Sequence, residues 1–169
     1  MDNHFDGEPH FYNVPVAWLP HLGRLTVLSS RMEEAVTVML EALGRERHGS
    51  GRTLSFTSET KLLGKLLKSP PASLEQRLPG WAERAGSWAE GARDEMNSAR
   101  HRYVHGHYVH LYVGDGRWEP VRHEPRESHQ AERVTEEVLI AAIERLRRYE
   151  VEGTQLSSDI RLEWCRGEF

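Results

Sequence analysis

Arg100-His101-Arg102-Tyr103-Val104-His105-Gly106-His107 crowds two guanidiniums and three imidazoles into eight residues. Arginine keeps its charge at any physiological pH and can hold two phosphate oxygens through parallel hydrogen bonds. Histidine has the side-chain pKa nearest neutrality, so it can accept or release a proton there. Arg100 stands four intervening residues ahead of His105. A phosphate clamp beside a proton shuttle is the minimum equipment for cleaving RNA without a metal. The plain alternative is structural: cations at the negative end of a helix stabilise it by a few tenths to about 1 kcal/mol. That accounts for Arg102 and His105, but less well for Arg100, a full turn earlier and beside the apolar face.

Six of the ten histidines fall between His101 and His129, which raises a metal site as a competing chemistry. His101 and His105 have the i, i+4 spacing by which two imidazoles on one helix face share zinc. The segment between them lacks a glutamate, no carboxylate stands ready to complete the sphere, and Arg100 repels a cation. The expectation is therefore no metal and no cofactor. Glu33, next to Met32 on the first helical stretch, either pairs with Arg100 across the molecule or lies on a solvated face. Glu34 reads as solvated. Trp81 and Trp88 have the spacing of a core stripe rather than of an exposed base-stacking platform. Arg145-Leu146-Arg147-Arg148, answered by Glu136, Glu137, Glu144 and Glu150, reads as a salt-bridged helix surface.

The elements that must position these residues are mostly helical. Residues 1–19 are broken by Gly7, Pro9 and Pro15 and read as irregular. From Pro20 to Leu43, Leu22, Leu25, Leu28, Met32, Ala35 or Val36, Met39 and Leu43 recur at steps of three and four, with Gly44 as a stop. Arg45 to Arg52 reads as a polar loop. A second helix, capped by Thr57 or Ser58, carries Leu62, Leu63, Leu66 and Leu67 and ends at Ser69-Pro70-Pro71. Leu74 and Leu78 form a separate short turn. The third long helix starts at Trp81 and carries Ala85, Trp88, Ala92 and Met96 on one face. Asn97 or Ser98 marks a break before the motif, and Gly106 is the residue expected to end the helix. The period then changes to two. His107–Val113 and Arg117–Arg122, joined by Gly114-Asp115-Gly116, read as a β-hairpin, with Pro120 assigning the return strand to an edge. Residues 123–131 read as loop. A last amphipathic helix runs from Thr135 to about Tyr149, leaving 151–169 as a C-terminal tail. The fold class is all-α: a four- to five-helix bundle over 20–150, with a hairpin at 107–122 inserted before the last helix.

Composition bounds the function. At 169 residues the chain suffices for one domain with a real core. A formal charge of −4 excludes a general polyelectrolyte binder, so any phosphate binding must be local. The single cysteine, Cys165, permits no internal disulfide and no cysteine zinc site, and reads as a buried or inert thiol. The first residues, Met1-Asp2-Asn3-His4-Phe5-Asp6, lack the basic start and apolar run of a signal peptide. No stretch approaches the roughly 18 apolar residues of a membrane span. A cytoplasmic setting is the expectation.

The stretch from Ala99 to Tyr108 resembles the signature of the HEPN superfamily. That family carries an arginine, a polar residue next, and a histidine four to six residues after the arginine, often followed by glycine or serine. Arg100, His101 and His105-Gly106 match in order. The polar position is frequently asparagine in the family, and His101 departs from it. The order of helices, with Glu33 central in the first, extends the resemblance over roughly residues 18–150. The resemblance implies a helical bundle that forms a homodimer with two motifs facing one cleft. It implies a metal-independent endoribonuclease of the kind used as a toxin or in other defence systems, with a possible antitoxin or other protein partner. Other members are non-catalytic RNA- or nucleotide-binding or interaction domains. The implied catalytic pair is Arg100 and His105, with His101, Arg102, Glu33 and His107 as phosphate contacts or supporting groups.

Overall fold

A computed structural model of the chain describes residues 4–5, 8–11, 14–44, 54–115, 117–123 and 131–166. It is an all-α bundle with a small hairpin ahead of the last helix. Among the described residues five α-helices run over Leu19–Ala42 (α1), Phe56–Leu66 (α2), Ala72–Arg77 (α3), Trp81–Met96 (α4) and Glu136–Cys165 (α5), and a π-helical segment, Asn97–Val104, continues α4. The expected loop at 45–52 and most of that at 123–131 lie outside the described residues.

Helix α1 buries Leu25, Ser29, Met32, Val36 and Met39 at steps of three and four, with Leu40 buried beside them. It stops where Gly44 takes a left-handed φ of 85°, which a side chain would disfavour. Helix α2 is capped by Ser55 rather than by Thr57 or Ser58. The Ser55 hydroxyl accepts from the Ser58 amide at 3.3 Å, and burial of Phe56 draws the first turn back to that position. The short turn expected around Leu74 is α3.

Helix α5 is the main correction. It runs for 30 residues to Cys165, so 151–165 is helix and not tail. The apolar stripe thins after Leu146, ahead of the expected end near Tyr149. In the fold Gly153 is buried where a Cβ would collide with the indole of Trp88. Leu156 and Ile160 then carry the core to the end of the helix. Helices α1 and α5 run parallel, joined by His21–Glu136 at 2.8 Å and Arg31–Glu150 at 3.2 Å. Helix α4 runs antiparallel to α5. Trp81 and Trp88 are buried, and their indole N–H groups donate to the carbonyls of Leu156 (3.0 Å) and Tyr149 (2.8 Å). Each indole removes roughly 150–250 Å² from water, an upper estimate of about 4–6 kcal/mol. Three of the α5 charges reach across the bundle: Arg145 pairs with Glu95 of α4, Glu136 with His21 and Glu150 with Arg31, while Glu163 pairs along the helix end with Arg166. Cys165 is exposed.

The N-terminal region is more ordered than its prolines suggest. Strands β1 (His4–Phe5), β2 (Glu8–Phe11) and β3 (Val14–Pro15) pair antiparallel. A 3-10 turn, Val16–Trp18, follows and buries Trp18. The central hairpin is β4 (His107–Gly114) and β5 (Arg117–His123), with Gly114 (φ 98°) and Asp115 (φ 52°) reversing the chain. Strand β6 (Ala131–Arg133) pairs with β5 and makes β5 the centre of the sheet, so Pro120 does not mark an edge strand. Proline is accommodated because β6 reaches only Val121–His123, short of Pro120. Among the described residues no helix is long and apolar enough to cross a membrane.

Candidate functional site

The motif sits on the π-helical segment, and the winding has a local cause. Asn97 and Ser98 interrupt the helix formers of α4. The Ser98 hydroxyl donates to the Glu95 carbonyl at 3.1 Å and also reaches the Glu95 carboxylate at 3.3 Å. That carbonyl is the one an α-helix would offer to the Ala99 amide, and a side chain competing for it loosens the i→i−4 ladder. The Glu95 carboxylate is held in turn by Arg145 of α5 at 2.9 Å. Ala99 and Tyr103, 0% and 5% exposed, anchor the widened turns in the core.

The spacing of the motif matches this winding. In a π turn the amide of residue i+5 donates to the carbonyl of residue i. The His105 amide donates to the Arg100 carbonyl at 3.4 Å, so one backbone bond links the two candidate residues. A π-helix advances about 80° per residue against about 100° in an α-helix. Five residues of ideal π winding leave two positions about 40° apart around the axis, where α winding would leave them about 140° apart. Gly106 follows the helix as expected, but for a steric reason, since it is not among the positive-φ residues. A Cβ on Gly106 would lie 2.5 Å from the Arg102 carbonyl oxygen and 3.0 Å from Cγ and Cδ of Arg122.

Arg100 is partly buried, and its Nη1 donates to Glu33 Oε1 across the bundle. Of the two readings open for Glu33, the fold takes the ion pair. The pair does not satisfy the guanidinium: Arg100 Nε is closed off from solvent and makes no hydrogen bond among the described residues. His101, Arg102 and His105 are exposed. The imidazoles of His101 and His105 lie 5.6 Å apart between centroids, tilted by 34°. The pKa of His101 is lowered from 6.5, first by partial desolvation, then by His105 and Arg100, with Glu33 opposing. His101 is therefore mainly neutral at pH 7. The Arg102 guanidinium lies 5.9 Å from the centre of the Tyr103 ring. His107 opens β4, paired with His123, and its side chain lies outside the described residues. The fold thus gathers Arg100, His101, Arg102, His105 and Glu33 around one turn. Among the described residues no group of three potential metal ligands converges.

Two neighbours of the motif were not singled out from the sequence. Tyr108 and Arg122 are cross-strand partners on the hairpin, both buried, and both touch the motif. The strand alternation and the turn register place them opposite each other, but only packing shows that their shared face meets the π turn. Comparison with protein-family models, curated proteins and solved structures finds no match to this chain.

Proposed function

We propose that this protein is a metal-independent endoribonuclease of the HEPN kind, acting on RNA as a homodimer in a toxin or defence setting. The observation that carries the reading is the π turn, whose backbone hydrogen bond joins His105, exposed, to Arg100, partly buried one turn before it. His105 takes the proton of a ribose 2′-hydroxyl as its oxygen bonds to the adjacent phosphorus. The bond from phosphorus to the 5′-oxygen breaks, and that oxygen gains a proton from the second motif of the dimer. The products are a 2′,3′-cyclic phosphate and a 5′-hydroxyl. Arg100, steered by Glu33, faces the non-bridging oxygens as their charge builds. His101, mainly neutral at pH 7, leaves the added positive charge at the phosphate to Arg100 and Arg102.

The test is cleavage of assorted RNAs in the presence of chelator, with end-group analysis. DNA should be inert. Arg100→Ala and His105→Ala should each lower the rate by at least about 10²-fold while the fold is kept. Cleavage that survives both changes, or that stops with chelator, overturns the mechanism. A second reading, a non-catalytic RNA-, nucleotide- or protein-binding domain, is favoured by the Arg100–Glu33 pair, which already occupies part of the guanidinium. A folded dimer that leaves every RNA intact at high concentration selects it.

A further inference from the structure

The proposed chemistry makes no use of Tyr108 or Arg122, yet both press on the turn that carries it. Their strands pair them directly, so both side chains leave the sheet on the same face. Tyr108 is 9% exposed, and its hydroxyl donates to the Tyr103 carbonyl at 2.6 Å. That carbonyl belongs to the last turn of the π segment, where backbone acceptors lose their helical partners. Trp18 braces the Tyr108 ring edge-on, 6.3 Å between centroids. Arg122 is 7% exposed, which excludes it as a free phosphate contact. Its aliphatic stem lies against Gly106, just where a side chain at that position would stand.

We propose that the Tyr108–Arg122 pair is a positioning clamp that holds the π turn wound and keeps His105 on the side of Arg100. The phenol occupies the terminal carbonyl, and the arginine stem packs the following glycine against the Arg102 carbonyl. Rewinding to an α-helix would swing His105 by about 100° relative to Arg100. The hairpin is on this account the support of the site. The catalytic consequence rests on the ribonuclease reading; the structural one does not.

Residue-resolved amide hydrogen exchange tests the clamp without reference to activity. In Tyr108→Phe the ring stays and the hydroxyl goes. The His105 amide should then exchange about tenfold faster, the loss of roughly one hydrogen bond, while the core amide of Leu146 keeps its protection. Arg122→Ala should do the same, and Arg122→Lys, which keeps the stem, should restore protection. In the cleavage assay Tyr108→Phe should lower kcat about tenfold and leave KM unchanged, because the phosphate is still held by Arg100. Unchanged His105 protection in Tyr108→Phe overturns the clamp. So does a loss spread equally to Leu146, which would mark only a weaker fold. If the wild-type protein cleaves no RNA, the ribonuclease reading fails and the exchange data alone decide the clamp.

Discussion

Replacing Gly153 by alanine sets two sources of helix stability against each other with opposite signs. In a helix interior free of neighbours, glycine to alanine stabilises by about 0.5–1 kcal/mol through backbone entropy. At Gly153 the new methyl would overlap Cζ2 of Trp88 and lie 2.8 Å from its Cε2. The indole has little room to retreat. It is 2% exposed, and its N–H is tied to the Tyr149 carbonyl at 2.8 Å. Overpacking of this kind costs about 1–3 kcal/mol, and straining the indole hydrogen bond adds about 0.5–1.5 kcal/mol. Less the propensity gain, Gly153→Ala should destabilise by about 0.5–4 kcal/mol. In a chain of this length that lowers Tm by about 1–16 °C. Gly23 is the internal control: it is exposed on α1, and a methyl added there would meet nothing within 4 Å. Gly23→Ala should therefore raise Tm by up to about 4 °C. Thermal unfolding followed by circular dichroism, checked by urea titration, reads both. A Gly153→Ala protein as stabilised as Gly23→Ala would refute the packing of α5 on Trp88.

The pH dependence of folding should carry the signature of His101. Its pKa lies below the ordinary 6.5 in the folded state, so the unfolded chain binds more protons between those two values. Its contribution is full above 6.5, declines as pH falls from 6.5 to the folded value, and is constant below. His101→Gln should flatten that part of the stability profile, measured by urea unfolding between about pH 5 and 7.5. Glu33→Gln removes the one influence that raises the His101 pKa, so NMR titration of its imidazole should move further down; an upward move contradicts the geometry. Cys165 is exposed, so the native protein should take up one equivalent of a thiol reagent without unfolding; labelling only in denaturant would place the end of α5 elsewhere.

Much of the bundle was legible in the chain because apolar residues at steps of three and four report burial wherever a helix has one neighbour-facing side. Leu25, Met32 and Met39 on α1, and Trp81, Trp88 and Met96 on α4, follow that pattern and are buried. The hairpin was legible from alternation and from Gly114-Asp115. The second half of α5 was not. Its buried positions are sparse beyond Leu146, and that Gly153 makes room for an indole shows only once the indole is in place. Pro120 misled for a similar reason: whether a strand is an edge depends on how far the next strand reaches, which β6 decides.

For the candidate site the division is sharper. The residue order alone determined that Arg100 and His105 are five apart, ahead of a glycine and beside other cations. It left open whether Glu33 meets Arg100, and its helical period implied α winding, which would turn the two apart. Tertiary structure decided both. The Ser98 hydroxyl, Glu95 held by Arg145, and the Tyr108 phenol act on backbone carbonyls of the segment or on the carboxylate beside it. Two of these contacts join different elements of the fold. The i→i+5 turn depends on them because π winding is intrinsically less favourable than α winding and persists where its surroundings hold it.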